Sequence, residues 1–573
     1  MSRPRASSSL STLGAVVVVA GLTGAAHAQA WDDATARTIG TTAQWTSKVE
    51  LADLDGDGHV DLLFANGGNY ATAGTPEPQR LFHNTGDFAG PGLAFTEITD
   101  DVLGAAAVRL SRVIEARDLD GDGDVDLFIG GAHGTASALF RNDGAAGWVD
   151  VSSQLPAGAL SLGDAEAGDV DGDGDLDLVL ADWGGPPQQV DGGQTRLWLN
   201  DGDGTFTDAT AARLPVDLVG MSWDLELVDV DDDADLDVLV SCKLCDGGRL
   251  YVNDGTGTFT DDSAARLPQH ANNYEYEAMD VDGDGDLDLV TINDGPQLRE
   301  TILINDGTGH FADDTAARLP GAENRAQSDD NVAVFLDADA DGDADVLIGS
   351  LSDADRLWVN DGTGHFTTDA TVMTLASPGT LGFAVADLDG DGRLDVVEGQ
   401  GEVASPDHVL LANAAIAIDT APPVIAVVRP AAPGALEVIA RVHDHKSPSA
   451  AHDWREVALA VTHAGGSAER VALTWRGEYE WAGTLPDDPD LAYQVCATDA
   501  AGNDACGDVY TLAGPAPDAG PDAGGGGDAA STDDGGCGCG AAGPGGAAPL
   551  ALLVLLALAP WRQRRPRMAA RAG

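Results

Sequence analysis

Lysine is almost missing from this 573-residue chain: Lys48, Lys243 and Lys446 are all it has. Lysine and arginine together number 30 against 95 acidic residues, for a formal charge of −65. Such a chain offers no basic face to a phosphate backbone, so a nucleic-acid partner is not expected. Catalytic signatures are absent too: there is no nucleophile elbow and no zinc signature. A lyase would want a Lys, Arg or His base in a groove, and lysine is scarce. Cysteine is limited to six residues, a number that suits an oxidising compartment. Cys496 and Cys506 flank ATDAAGNDA, which reads as two strands around a turn, and are expected to pair. Cys242 and Cys245, in CKLC, have no second pair nearby for zinc or redox work and are expected to form a local disulfide. An acidic total of this size also occurs in disordered chains. Here, however, 43% of the residues are hydrophobic and the acids recur at fixed spacings, so they are given an ordered role.

The two ends stand apart from the rest. Residues 1–30 carry Arg3 and Arg5, an apolar run ending GAVVVVAGL and then AAHAQA, the pattern of a secretory signal peptide cut after Ala28 or Ala30. Residues 513–546 form a Gly/Ala/Pro/Asp tether containing CGC, with nothing to bury. Residues 547–573 hold a short apolar stretch, Leu550–Ala559, then Arg562, Arg564, Arg565 and Arg567, which should stay cytoplasmic. The stretch is short for a membrane span. This tail resembles the MYXO-CTERM sorting signal of myxobacterial surface proteins. The resemblance implies export, at least transient membrane insertion, processing near Cys537 and Cys539, and display on or release from the cell surface. An ordinary C-terminal anchor is the alternative, and both readings place the mature protein outside the cytoplasm.

Between the ends the chain repeats itself seven times. The nonapeptide DLDGDGHVD begins at Asp53. It recurs as DLDGDGDVD at Asp118, DVDGDGDLD at Asp169, DVDDDADLD at Asp229, DVDGDGDLD at Asp280, DADADGDAD at Asp337 and DLDGDGRLD at Asp387. Each copy precedes an apolar run, then a segment such as RLWLN or RLYVN, then a DGTG turn and FTDAT or a variant. Each unit therefore reads as four short strands, and seven units predict an all-β fold, a seven-bladed β-propeller over residues 31–418. Blade seven lacks its last strand. Trp31–Ala36, WDDATA, matches Phe206–Ala211, FTDATA, so the first strand of the mature chain is expected to complete blade seven and close the ring.

Aspartates at positions 1, 3, 5 and 9 with glycine at position 6 resemble a calcium loop, in which hard oxygen ligands at alternate positions can wrap one Ca²⁺ with a backbone carbonyl from position 7. The helical calcium motif is rejected, because position 12 holds Phe64, Ile129, Leu180, Val240, Thr291 and Ile348, and glutamate only at Glu398. The units resemble the FG-GAP/VCBS repeats of integrin α-subunit propellers and bacterial surface proteins. That resemblance implies structural calcium in a β-hairpin on one rim, with up to seven ions. The side-chain ligands it implies are Asp53, Asp55, Asp57 and Asp61; Asp118, Asp120, Asp122 and Asp126; Asp169, Asp171, Asp173 and Asp177; Asp229, Asp231, Asp233 and Asp237; Asp280, Asp282, Asp284 and Asp288; Asp337, Asp339, Asp341 and Asp345; and Asp387, Asp389, Asp391 and Asp395. The carbonyl ligands it implies belong to His59, Asp124, Asp175, Asp235, Asp286, Asp343 and Arg393. Blade four departs from the pattern, with Ala234 in place of the glycine at position 6, and its site is expected to be weak or empty. A second series, Glu50, Glu115, Glu166, Glu226 and Glu277, lies three residues before each first aspartate and gives way to Val334 and Ala384. It reads either as a partial acidic ring near the axis, able to take a second cation, or as glutamates hydrogen-bonded to the neighbouring blade.

Residues 421–512 lose the acidic repeats and keep alternating strands, as in LEVIARVHD and LAYQVCATDAAGN, which predicts an immunoglobulin-like β-sandwich. Fold does not fix function. The reading placed first is a non-enzymatic surface protein for adhesion or for binding protein or carbohydrate ligands, using the rim opposite the calcium hairpins. Candidate contacts there are Tyr70, Trp183, Asn272, Asn273, Tyr274 and Tyr276. A structural surface-layer component without a ligand is the alternative, followed by a propeller polysaccharide lyase or hydrolase.

Overall fold

The computed structural model describes residues 29–512, apart from loop segments 69–71, 91, 186–191, 294–298, 320, 322–323, 325–328, 352–353, 370–372, 374–378 and 431–434. The expected leader, tether and sorting tail lie outside the described residues. Among the described residues no helix is long and apolar enough to cross a membrane.

The fold is all-β, with a repeated four-stranded antiparallel sheet of propeller type. Sheet one runs through Thr46–Ala52, Asp61–Asn66, Arg80–Asn84 and Phe95–Glu97. Sheets two to seven begin with Ser111–Arg117, Leu162–Gly168, Leu225–Val228, Asn273–Met279, Asp330–Leu336 and Thr380–Ala386. The first strand of each sheet packs on the first strand of the next, and that of sheet seven packs on that of sheet one, so the seven sheets form a ring. The second strands are buried along their whole length, as DLLFAN and DLVLAD illustrate. Their continuous apolar runs follow from having a neighbouring sheet on both faces. The short outermost strands bury only the aromatic of FTD. The core lies between sheets, as where Leu62, Phe64 and Phe82 of sheet one pack with Ala384, Val397 and Val409 of sheet seven.

Trp31–Asp33 pairs antiparallel with the third strand of sheet seven, with Trp31 opposite Ala412 and Asp33 opposite Leu410. Trp31 is fully buried, and its indole Nε1 donates to the Leu394 carbonyl at 2.9 Å. The expected closing strand is therefore present.

The asparagine of RLxxN ties the sheets together. The side-chain amides of Asn84, Asn142, Asn200, Asn253, Asn305 and Asn360 donate to carbonyls of Leu388, Leu54, Leu119, Val170, Val230 and Val281, each in the preceding sheet of the ring. Sheet seven has Ala412 at this place. There the Ala417 backbone N–H reaches Ala338 of sheet six, at 3.3 Å.

Residues 424–511 form two further sheets face to face. One orders Val424–Pro430, Glu437–His443, Glu480–Thr484 and Thr474–Gly477; the other centres on Trp454–Thr462 and Ala492–Asp499. Val438, Val442, Leu459, Trp481 and Val495 fill the space between them. Both expected disulfides, Cys242–Cys245 and Cys496–Cys506, are formed.

Replacing Trp31 removes a large buried side chain and loosens the strand that joins the two ends of the ring. Trp31→Ala is expected to cost about 3–5 kcal/mol, read as a lower urea midpoint. A loss below about 1 kcal/mol would show that the closing strand contributes little.

Candidate metal centre

Each acidic nonapeptide forms the hairpin between the first and second strands of its sheet, and its backbone N–H groups are turned toward its own carboxylates. Asp53 accepts from the Gly56 N–H on one oxygen and the Gly58 N–H on the other, both at 2.8 Å. Asp118, Asp169, Asp280 and Asp387 do the same with their own glycines. The fifth aspartate accepts from the N–H of residue seven in every sheet, from His59, Asp124, Asp175, Asp235, Asp286, Asp343 and Arg393. The ninth aspartate is buried. One of its oxygens accepts from the second residue of the hairpin and the other from the end of the third strand. At Asp177 these donors are the Val170 and Asn200 N–H groups, at 3.3 and 2.8 Å. Asp61, Asp126, Asp237, Asp288, Asp345 and Asp395 repeat the pair.

The third aspartate differs. Arg266 holds Oδ2 of Asp231 at 2.6 Å, and Arg318 holds Oδ2 of Asp282 at 2.7 Å. The Oδ1 atoms of Asp171, Asp231, Asp282 and Asp389 are buried and accept no hydrogen bond. The first, third and ninth carboxylates converge: Asp169, Asp171 and Asp177 offer oxygens within 4.8 Å of one another, as do Asp229, Asp231 and Asp237. Asp53, Asp55 and Asp57 form such a group, and so do Asp118, Asp120 and Asp122.

Burial dominates the electrostatics. It pushes Asp177, Asp288, Asp345 and Asp395 up to about 8, Asp126 to about 7 and Asp61 to about 6, against the pull of their backbone donors. Neighbouring carboxylates add to the rise. A set of hard oxygens, one of them buried with no proton donor, fits a dication bound by aspartates and a carbonyl.

Individual sheets vary the set. In sheet one His83 Nδ1 stands 3.4 Å from Asp55 and 3.3 Å from Asp61. In sheet seven Arg393 turns back to hold Asp391 at 2.7 Å. In sheet four Asp232 and Ala234 take the left-handed conformation at φ 59° and 62°, and the Ala234 N–H still donates to Asp229 at 2.8 Å. The Ala234 methyl packs on Ile439 and Ala482 of the sandwich, and Asp232 accepts from Arg441 at 2.9 Å. The departure from glycine is thus a contact with residues 424–511. The sandwich also pairs Arg476 with Asp169 at 2.9 Å, so it covers part of the hairpin end.

The proposed ligand contacts need correction. Trp183, Asn273, Tyr274 and Tyr276 are buried, not exposed in loops. Asn273–Met279 is the first strand of sheet five. Trp183 folds inward, donates to the Ser222 carbonyl at 2.5 Å and packs on Trp223. Their apolar rings fill the seam between sheets, where burial outweighs loop exposure. Asn272 sits half-buried in the preceding turn, and Tyr70 lies outside the described residues. All five of the glutamate series, Glu50, Glu115, Glu166, Glu226 and Glu277, line a cavity on the axis. Two of them also make next-sheet bonds: Glu50 accepts from Arg117 of sheet two at 2.7 Å and Glu226 from the Ala278 N–H of sheet five at 3.3 Å. The interlocking asparagines and Arg266 and Arg318 had no assigned role in the sequence. Their signal was the N of RLxxN and the R of SAAR and TAAR, repeated in register with the aspartates.

The FG-GAP-like repeat family model matches residues 118–180, 243–291, 280–348 and 337–398. No curated protein matches the chain. Among solved structures, an Agrocybe aegerita lectin titled for recognition of non-reducing terminal N-acetylglucosamine is 19% identical, with 57% of this chain and 81% of that one covered at a TM-score of 0.34. Saccharomyces cerevisiae Sqt1 is 12% identical, with 66% of this chain and 100% of that one covered at a TM-score of 0.32.

The ninth aspartates of the repeats set a pH dependence for the metal-free protein. Their folded pKa values lie above the unfolded value of about 4, so between the two the folded state binds more protons than the unfolded one. Stability is then greatest below about pH 4 and is lost as pH rises toward about 8. In EDTA the melting temperature is expected to fall over this window. Saturating calcium should remove the fall, because a bound dication favours the ionised carboxylate. Identical pH profiles with and without calcium would overturn this.

Proposed function

We propose that the protein is an exported, calcium-stabilised seven-bladed β-propeller that binds an extracellular protein or carbohydrate ligand at the cell surface. The observation that carries the reading is the repeated hairpin in which a buried third-aspartate oxygen lacks any proton donor, as at Asp171, Asp231, Asp282 and Asp389. In this reading up to seven Ca²⁺ are structural, held by the aspartates at positions 1, 3, 5 and 9 and the carbonyl of residue seven. The dication supplies the positive charge that lets these carboxylates stay ionised. With calcium about tenfold above Kd, each site adds about 1.4 kcal/mol, and seven sum to about 10 kcal/mol. The blade-four site, crowded by Arg441, is the weakest. Residues 421–512 are an immunoglobulin-like module, residues 1–30 direct export, and residues 513–573 tether and sort the protein.

Binding is assigned to the rim opposite the hairpins, since the sandwich occupies part of the hairpin end. In place of the buried aromatics, the contact residues are Val216, Leu218 and Leu244, which are 89%, 59% and 46% exposed. They stand on adjoining loops, with the Leu244 N–H donating to Gly220 at 3.0 Å. The protein is read as a binding module and not an enzyme.

The test is binding of the purified protein to a glycan array and to whole bacterial cells, in calcium and in EGTA. Saturable, calcium-dependent binding is expected, with Leu218→Asp and Leu244→Asp each weakening it about tenfold, a loss of about 1.4 kcal/mol. A protein folded in calcium that binds no surface would shift the reading to a structural surface-layer component.

A further inference from the structure

The ring encloses a cavity of about 120 Å³ on its axis, lined by the first strands of the sheets and, at the hairpin end, by Lys446, Pro448, Ala450, His452 and Glu478 of the sandwich. Each water takes about 30 Å³ in the liquid, so the cavity has room for one ion with a few waters. Two rings of side chains face it. One is the glutamate series; the other lies two residues earlier and includes Lys48, Asp164, Asp224 and Glu275.

Their charges do not balance. Lys48 pairs with Asp164 and Glu166, and Arg117 with Glu50 and Glu115. Asp224, Glu226, Glu275, Glu277 and Glu478 also line the cavity, and among the described residues none of the five makes an ion pair. Their hydrogen-bond donors are neutral. Tyr276, Ala278, Ala333 and Ser449 give backbone N–H groups to Asp224, Glu226, Glu275 and Glu478, and the Ser447 hydroxyl gives to Glu277 at 2.7 Å. Burial, and repulsion from its neighbours Glu277, Glu478 and Asp224, hold the Glu226 carboxyl well above its ordinary range.

A second observation is independent of the acids. Asn331 lines the same cavity, is 1% exposed, and neither its side-chain oxygen nor its nitrogen has a hydrogen-bond partner. A buried amide left wholly unsatisfied costs about 1–3 kcal/mol per group unless something in the cavity meets it. A hydrated cation does so: the amide oxygen can ligate it and the amide nitrogen can donate to one of its waters.

We propose that the axial cavity is a second kind of cation site, taking one hard divalent ion of the calcium class between Glu226, Glu277 and Glu478, with Asp224, Glu275 and Asn331 completing its shell directly or through water. All the donors are oxygen, which favours such an ion over a thiophilic metal. Glu478 comes from the sandwich and the other five residues from sheets four to six, so the ion joins the sandwich to the ring. The site shares no residue with the hairpins and does not depend on their occupancy.

The test uses the full chain, stripped with EDTA and reloaded with Mn²⁺ alone. Crystals of wild type should show an anomalous peak on the axis beside Glu226 and Glu277, whether or not the hairpins are filled. Peaks confined to the hairpins, or none at all, would overturn the proposal. In solution, elemental analysis after gel filtration should find one fewer Mn²⁺ per chain in Glu226→Gln/Glu277→Gln than in wild type. Equal counts with the variant folded would also overturn it. If the variant does not fold, the wild-type crystal decides alone.

Discussion

The ninth aspartate of each hairpin is the joint through which every sheet is built. Its two oxygens take one N–H from the hairpin and one from the third strand, as Asp237 does with Val230 and Asn253. The same asparagine then uses its side chain to reach Val170 in the preceding sheet. One buried carboxylate thus fixes the hairpin, orders the third strand and positions the bond to the neighbour. Two backbone donors do not replace the hydration lost by a carboxylate, and burial still wins at most of these positions. The architecture therefore creates a demand for positive charge in each hairpin, and a chain with 30 Lys and Arg against 95 acids meets only part of it from within.

Arginine meets part of that demand, and its placement is selective. Arg266 and Arg318 take only the outer oxygen of the third aspartates, and each also donates to a DGTG-turn carbonyl of the next sheet, at Thr308 and Thr363. A planar guanidinium can serve both acceptors at once, where a lysine would act as a point charge. The inner oxygens are left facing the centre of the hairpin. Arginine thus links one sheet to the next without filling the space among the three converging carboxylates.

Much of this was legible in the sequence. Seven nonapeptides in register, the three companion motifs and the displaced WDD strand lead directly to seven four-stranded sheets and to the pairing of Trp31 with Ala412. The aspartates were legible because a hairpin that gathers four acids in nine residues, with the last of them buried, requires all of them at fixed spacing. The aromatic contacts were not. Trp183 and Tyr274 flank Gly- and Asn-rich turns and so look like loop residues, but the seam between sheets three, four and five is wide enough to take them, with Trp223, into the core. Period-two patterning shows which side chains leave one face of a sheet, but not how far the next sheet stands from it. Nor could the sequence show that the sandwich folds back on the hairpins, because the residues responsible are spread over both segments.

Sheet four shows how that docking shaped the repeat. Taken alone, DVDDDADLD is a degraded copy of the nonapeptide. In place, each change meets residues 424–511: Asp232 receives Arg441, and the Ala234 methyl closes against Ile439 and Ala482. A glycine at position 234 would leave that small apolar contact unfilled, and a glycine at 232 would leave Arg441 facing only backbone carbonyls. The left-handed conformation costs a non-glycine residue about 1–2 kcal/mol, so two such residues in one hairpin persist only where their side chains return comparable energy. The loss of consensus in sheet four is therefore evidence of a gained interface, and it places one anchor of the sandwich on the one hairpin whose sequence departs from glycine at both turn positions.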